Sequence, residues 1–129
     1  MADKYLTALE EASQAWVNTR HMSQKERVQV AKDLHTYGLF SLNQLAKIAR
    51  MSAGGVSRHC TKTDLTGGRF QAEALSVLVH IRRVYLEFTR VPPKLVQAAV
   101  DSGCSASCIA SLTGTPYSTV YKANKQRTA

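Results

Sequence analysis

The sequence predicts an all-α chain in which two small helix-turn-helix domains are joined by a long helix. Three observations predict it. Apolar residues recur at helical spacing along nearly the whole chain, with no alternating strand pattern to compete. One helix-turn-helix spacing occurs twice. A polar stretch at 61–68, ending in Gly67-Gly68, reads as a linker and divides the chain into residues 1–66 and 67–129.

Taken in order, residues 3–19 place Tyr5, Leu6, Leu9, Ala12, Trp16 and Val17 on one stripe, with Lys4, Glu10, Glu11 and Gln14 off it. Such a stripe belongs in a core or on a helix-docking face. Ser23 and Glu26 have capping-box spacing and open a second helix, whose apolar face is Val28, Val30, Ala31 and Leu34. Gly38 is a natural left-handed stop. Ser41 and Gln44 repeat the box and start a short helix through about Ala49. A break at Arg50–Ser52 precedes another short helix to about Cys60. From Arg69 to Thr89, the residues Phe70, Ala74, Leu75, Leu78, Ile81, Val84, Tyr85 and Phe88 form one long helical stripe. Pro92-Pro93 should end it, because proline disfavours helix in the residue before it and lacks an amide donor. Three short helices follow, at about 93–102, 105–113 and 116–125.

The most specific pattern lies in residues 105–125. Two helices crossing at a steep angle need a short turn with a residue tolerant of positive φ, and Gly114 supplies it. Ala110 is small enough for close crossing, while Ile109, Leu112 and Val120 fill the angle. Thr115 is expected to cap the second helix, with Pro116 at its first position. The same spacing recurs earlier: Leu45 corresponds to Ile109, Ala46 to Ala110, Ile48 to Leu112, Arg50 to Gly114 and Val56 to Val120. Two departures stand out. Arg50 occupies the turn, where a side chain is sterically unfavourable. Gly54-Gly55 interrupt the second helix, each weakening it by about 1 kcal/mol relative to Ala; they fit either close approach of backbone to DNA or a frayed, irregular turn.

The chain has 129 residues and a formal charge of +8. Residues 1–66 hold nine Lys/Arg against six Asp/Glu, and residues 67–129 hold eight against three. A basic surplus favours a polyanionic partner, and DNA, RNA or an anionic membrane would each satisfy it. The paired turn units select double-stranded DNA. No run approaches the roughly 18–20 apolar residues of a membrane span, and the N-terminal residues lack the layout of a secretory signal. Three cysteines do not make a disulfide framework, so the expected setting is a reducing cytoplasm. Cys104 and Cys108 are four apart without a second ligand pair at zinc spacing, and read as buried thiols. His21, His35 and His80 stand singly. No motif activates a nucleophile and no glycine loop cradles phosphate, so no enzyme, cofactor, metal or small-molecule substrate is expected.

In a unit of this kind the second helix enters the major groove. The expected base-reading positions are Ala53, Gly54, Ser57 and Arg58 in the first unit, and Tyr117, Ser118, Tyr121 and Lys122 in the second. Ser118 and Lys122 suit base-edge acceptors, and the tyrosines suit thymine methyls or phosphates. Arg50, Ser52, His59, Lys62, Arg69, Thr119, Lys125 and Arg127 are the expected backbone contacts, which set register without reading sequence. Arg69, beyond the glycines, is also placed to reach an adjacent minor groove.

The segment from Pro116 to Lys122 resembles the recognition helix in the C-terminal domain of serine resolvases and invertases. That resemblance covers about thirty residues, and no recombinase catalytic domain precedes it. As a whole, the unit at Ser41–Cys60, the long helix at 69–89 and the unit at Ser105–Lys122 resemble actinobacteriophage, particularly mycobacteriophage, immunity repressors. The resemblance implies two DNA-binding domains on an asymmetric operator, transcriptional repression of early lytic promoters, and binding at dispersed sites that halt elongation. Tandem unlike units on one chain are expected to grip the duplex as a monomer. Two rivals follow: an accessory or end-binding module in recombination or transposition, and an all-α adaptor that binds a protein through the Trp16 face.

Overall fold

In the computed structural model, which describes residues 3–61 and 68–125, the fold is all-helical. Its helices are α1 (Lys4–Asn18), α2 (Gln24–His35), α3 (Leu42–Ala49), α4 (Ala53–Ser57), α5 (Leu75–Phe88), α6 (Pro93–Asp101), α7 (Ala106–Thr113) and α8 (Tyr117–Lys125). Short 3₁₀ turns follow α1 at Thr19–His21 and precede α5 at Ala72–Ala74.

Five helices begin on a short polar side chain that accepts a bond from the helix's own third amide. These are Asp3 for α1, Ser23 for α2, Ser41 for α3, Ser52 for α4 and Ser105 for α7. Each such cap is worth about 1 kcal/mol. The boxes at Ser23/Glu26 and Ser41/Gln44 are complete, with both reciprocal bonds formed. Gly38 takes the left-handed conformation expected of it, at φ 67°.

Packing brings the two halves of the chain together. α1 lies against α5 and also touches α3 and α7. Its buried residues Ala8, Leu9, Ala12 and Ala15 are mostly small, which permits a close approach. α2 packs on α3 and α3 on α4, while α6 touches α5, α7 and α8. The buried apolar side chains form one cluster from Ala8 in α1 to Ala123 in α8. Tyr5 and Trp16 are half-buried and Leu9 fully so, so much of the α1 stripe faces inward; Val17 alone of it is well exposed. No single helix among the described residues is long and apolar enough to cross a membrane.

The starts of the long helix and of the last helix differ from expectation, each for a local reason. The long helix begins near Ala72 instead of Arg69, because the preceding carbonyls make tertiary bonds: Arg69 O accepts from Ser105 N at 2.9 Å and Phe70 O from Lys47 Nζ at 2.6 Å. Its end at Thr89 is as expected, and that residue turns left-handed at φ 56°, three residues before Pro92. The last helix begins at Tyr117, with Pro116 O accepting from Val120 N at 3.2 Å. Pro116 is therefore the residue before the helix, and Thr115 does not cap it.

Candidate nucleic-acid interface

α3 and α4 meet at a left-handed corner. Arg50 has φ 56° and ψ 46°, its amide bonds to Ala46 O, and Met51 N donates to the same carbonyl at 2.9 Å. A residue with a β-carbon is disfavoured there by about 1–2 kcal/mol. Tertiary contacts hold it in place. The guanidinium lies 3.5 Å from the Trp16 ring centroid, and Nε and Nη2 donate to Trp16 O at 3.3 and 3.0 Å. Arg27 adds bonds from Nη1 to Arg50 O (3.3 Å) and from Nε to Thr19 O (3.1 Å). Desolvation, then the nearby charges of Arg20 and Arg27, hold the Arg50 pKa below its ordinary value. Arg50 thus directs its guanidinium at α1, not outward as a phosphate contact requires.

Beyond that corner, Val56 is fully buried while Ala53, Gly54, Ser57, Arg58 and His59 are exposed. Ser52 Oγ accepts from Gly55 N at 3.0 Å, and Ser57 Oγ donates to Gly54 O at 2.9 Å. A β-carbon added at Gly54 would meet nothing within 4 Å, so packing does not require glycine there. α4 is only five residues long.

The second corner, between α7 and α8, is Gly114 at φ 68° and ψ 15°. Here the need for glycine is both conformational and steric. An added β-carbon would lie 2.9 Å from Arg82 Nη1 and 3.1 Å from the Tyr5 ring. Ile109, Leu112 and Val120 are fully buried in the angle, as expected. Thr113 Oγ1 donates to Ile109 O at 2.6 Å, which leaves its oxygen to accept from Thr115 Oγ1 at 2.8 Å. The Thr115 hydroxyl thus bonds to Thr113 and not to an α8 amide. Tyr117, Ser118, Tyr121, Lys122 and Lys125 are exposed, and Thr119 is half-buried. The Tyr117 and Tyr121 rings stack with centroids 6.0 Å apart, and Lys125 Nζ sits 4.8 Å from the Tyr121 centroid.

Arg69 is exposed beside the α7 N-terminus. Lys62 and Arg127 lie outside the described residues, as does the expected boundary at residue 66. All eight side-chain positions expected to read bases are exposed, grouped as two sets on α4 with its following turn and on α8. Neither set has a carboxylate near it in sequence: none occurs between Asp33 and Asp64, or from Ser102 to Ala129. The exposed groups are mainly hydrogen-bond donors and cations, chemistry suited to phosphate oxygens and to guanine or thymine acceptors.

The sequence reading missed Arg82. This residue is nearly buried, and its fork closes on the Asp3 carboxylate, Nε to Oδ1 at 2.9 Å and Nη2 to Oδ2 at 2.6 Å. Nη1 reaches Thr113 O at 3.0 Å, next to the Gly114 corner. The hydrogen bond from Arg82, opposed by some desolvation, holds the Asp3 carboxyl below its ordinary pKa. A signal was available: Arg82 falls among Leu78, Ile81 and Tyr85 on the buried stripe of α5, and a charge on a core face demands a partner. Cys60, Cys104 and Cys108 are free, buried thiols, and Gln44 Nε2 donates to Cys108 Sγ at 3.6 Å. The hydrogen bond that the Cys108 thiol donates to Cys104, together with burial, pushes its pKa up. Among the described residues no cluster of His, Cys, Asp or Glu could hold a metal ion. Compared with protein-family models, curated proteins and solved structures, the chain finds no match.

Proposed function

We propose that this chain is a sequence-specific double-stranded DNA-binding repressor with two helix-turn-helix units, α3–α4 and α7–α8. It reads an asymmetric site as a monomer. One observation carries the reading: each unit turns through a left-handed corner into a short helix that buries one valine and exposes its polar face. Val56 and Val120 anchor the two helices, while Ser57, Arg58, Ser118 and Lys122 face outward.

The absence of carboxylates from both segments and the +8 charge support a polyanionic partner. The open space beside Gly54 supports close approach of the α4 backbone to a duplex. Arg50 is left out of the proposed contact set, since its guanidinium is bound to Trp16. The contact set is therefore Ala53, Gly54, Ser57, Arg58, Tyr117, Ser118, Tyr121 and Lys122 at bases. Ser52, His59, Arg69, Thr119 and Lys125 serve the backbone. Repression of the immunity type, in the host cytoplasm, extends the resemblance to actinobacteriophage repressors. The protein-adaptor reading is weakened because Trp16, its proposed anchor, is covered by Arg50.

Selection of bound duplexes from a random pool, followed by salt titration of the enriched sequence, tests the function. An enriched, non-palindromic site with strongly salt-dependent affinity is expected. Failure to enrich any sequence above the pool, or retention indifferent to salt, defeats the proposal.

A further inference from the structure

Both corners are fastened to the same helix, one at each of its ends. At the N-terminal end, the Asp3 carboxylate caps α1 through Leu6 N and also receives the Arg82 fork, whose third nitrogen holds Thr113 O beside Gly114. The Tyr5 ring lies against Gly114 itself. At the C-terminal end, Trp16 O receives two bonds from Arg50, the residue that forms the other corner. One residue beyond α1 and its end, Thr19 Oγ1 donates to Ile48 O at 3.0 Å, fixing the last turn of α3. Thirteen residue steps separate Asp3 from Trp16, which in a continuous helix is about 20 Å. α1 is one unbroken helix from Lys4 to Asn18, so its rise sets the separation of the two attachment points.

We propose that α1 is a ruler: clamped by Arg82 at one end and Arg50 at the other, it fixes the spacing and angular phase of α4 and α8. The proposal rests on the DNA-reading function above and deepens it, because it defines the ligand as a duplex with two half-elements at one permitted separation. Arg82 and Arg50 are positioning residues, acting through the corners without touching DNA. Each base pair added between half-elements moves one by about 3.4 Å and turns it by about a tenth of a revolution. A rigid reader must then release one of them.

The test measures affinity for the selected site and for versions with one or two base pairs inserted between its half-elements. It uses the wild-type chain and the variants Arg82→Lys and Arg50→Lys, which keep charge and lose the planar fork. The wild type should lose about tenfold or more on a one-base-pair insertion, the equivalent of one good base contact. In either variant that insertion penalty should shrink to about threefold or less, while affinity for a single half-element is unchanged. A merely destabilising substitution would weaken binding to all these duplexes alike. A wild type that binds the inserted sites as well as the parent overturns the ruler while leaving the DNA-reading function standing. So does a folded variant that keeps the full penalty. The wild-type comparison decides the matter even where a variant does not fold, and failure of the wild type to select any site removes the underlying function instead.

Discussion

The Arg50 guanidinium stacks 3.5 Å from the centroid of the Trp16 ring, thirty-four positions earlier in the chain, and bonds to the Trp16 carbonyl. A residue that looked like a conformational penalty at a turn is a link between a corner and the helix that supports it. Cation–π contacts contribute about 0.5–2 kcal/mol, and bonds from charged donors about 1.5–3 kcal/mol. Relief of left-handed strain by glycine returns about 1–2 kcal/mol.

Arg50→Gly should therefore lower stability by about 1–2 kcal/mol, despite relaxing φ. Trp16→Ala should cost a similar amount or more. In urea unfolding, the two losses should exceed that of the double variant by about 0.5–2 kcal/mol. Strict additivity would show that the stack contributes nothing.

Gly54→Ala separates folding from function. The added methyl meets nothing within 4 Å, so the variant should be more stable by about 0.5–1 kcal/mol through helix propensity. If the α4 backbone lies close to DNA, the same methyl should weaken binding by about 1–3 kcal/mol, comparable to one base contact. Thermal melting and binding isotherms on one preparation check both arms. Unchanged affinity would remove Gly54 from the interface.

Lys122 and Arg69 should fail in different ways. Lys122→Ala should lose about 1–3 kcal/mol of discrimination at one base-pair position and little elsewhere. Arg69→Ala should weaken binding evenly across sequences and reduce the slope of log affinity against log salt by about one. Titration against a panel of single-base substitutions at two or more salt concentrations distinguishes the patterns. An even loss for Lys122→Ala would reassign it to the backbone.

Asp3 gives the protein an acid limb. Its carboxyl is held below the ordinary value by Arg82, so the folded state prefers the charged form. That contribution is fully present above the unfolded carboxylate value of about 4 and is lost as pH falls through the depressed folded value. Asp3→Asn retains a capping side chain but removes the charge. It should lower stability at neutral pH and flatten the fall in melting temperature below about pH 4. An acid limb identical to that of wild type would mean the Asp3–Arg82 pair is not linked to folding.

Most element starts were readable from short polar residues alone. Ser23, Ser41, Ser52 and Ser105 all stand where a cap was needed, and each closes its bond within three residues. Asp3 has the same chemistry and the same position before an apolar stripe, but was passed over. The exposure of Ser57, Arg58, Ser118 and Lys122 followed from helical periodicity around Val56 and Val120. The errors share another origin. Thr115 is a competent cap by type, yet its hydroxyl pairs with Thr113, and Arg69 and Phe70 carry helical pattern while their carbonyls serve Ser105 and Lys47.

The sequence by itself determined where most helices start, that the chain turns left-handed at Gly38, Arg50 and Gly114, and that Val56 and Val120 point inward, because those outcomes depend on hydrogen bonds and dihedral preferences that close within a few residues. Only the tertiary structure decided which corner each arginine serves. Arg82 meets Asp3 across seventy-nine positions and Arg50 meets Trp16 across thirty-four. Those partners face each other only after α1 docks on α5, and docking follows from the summed burial of many side chains, which no local motif encodes.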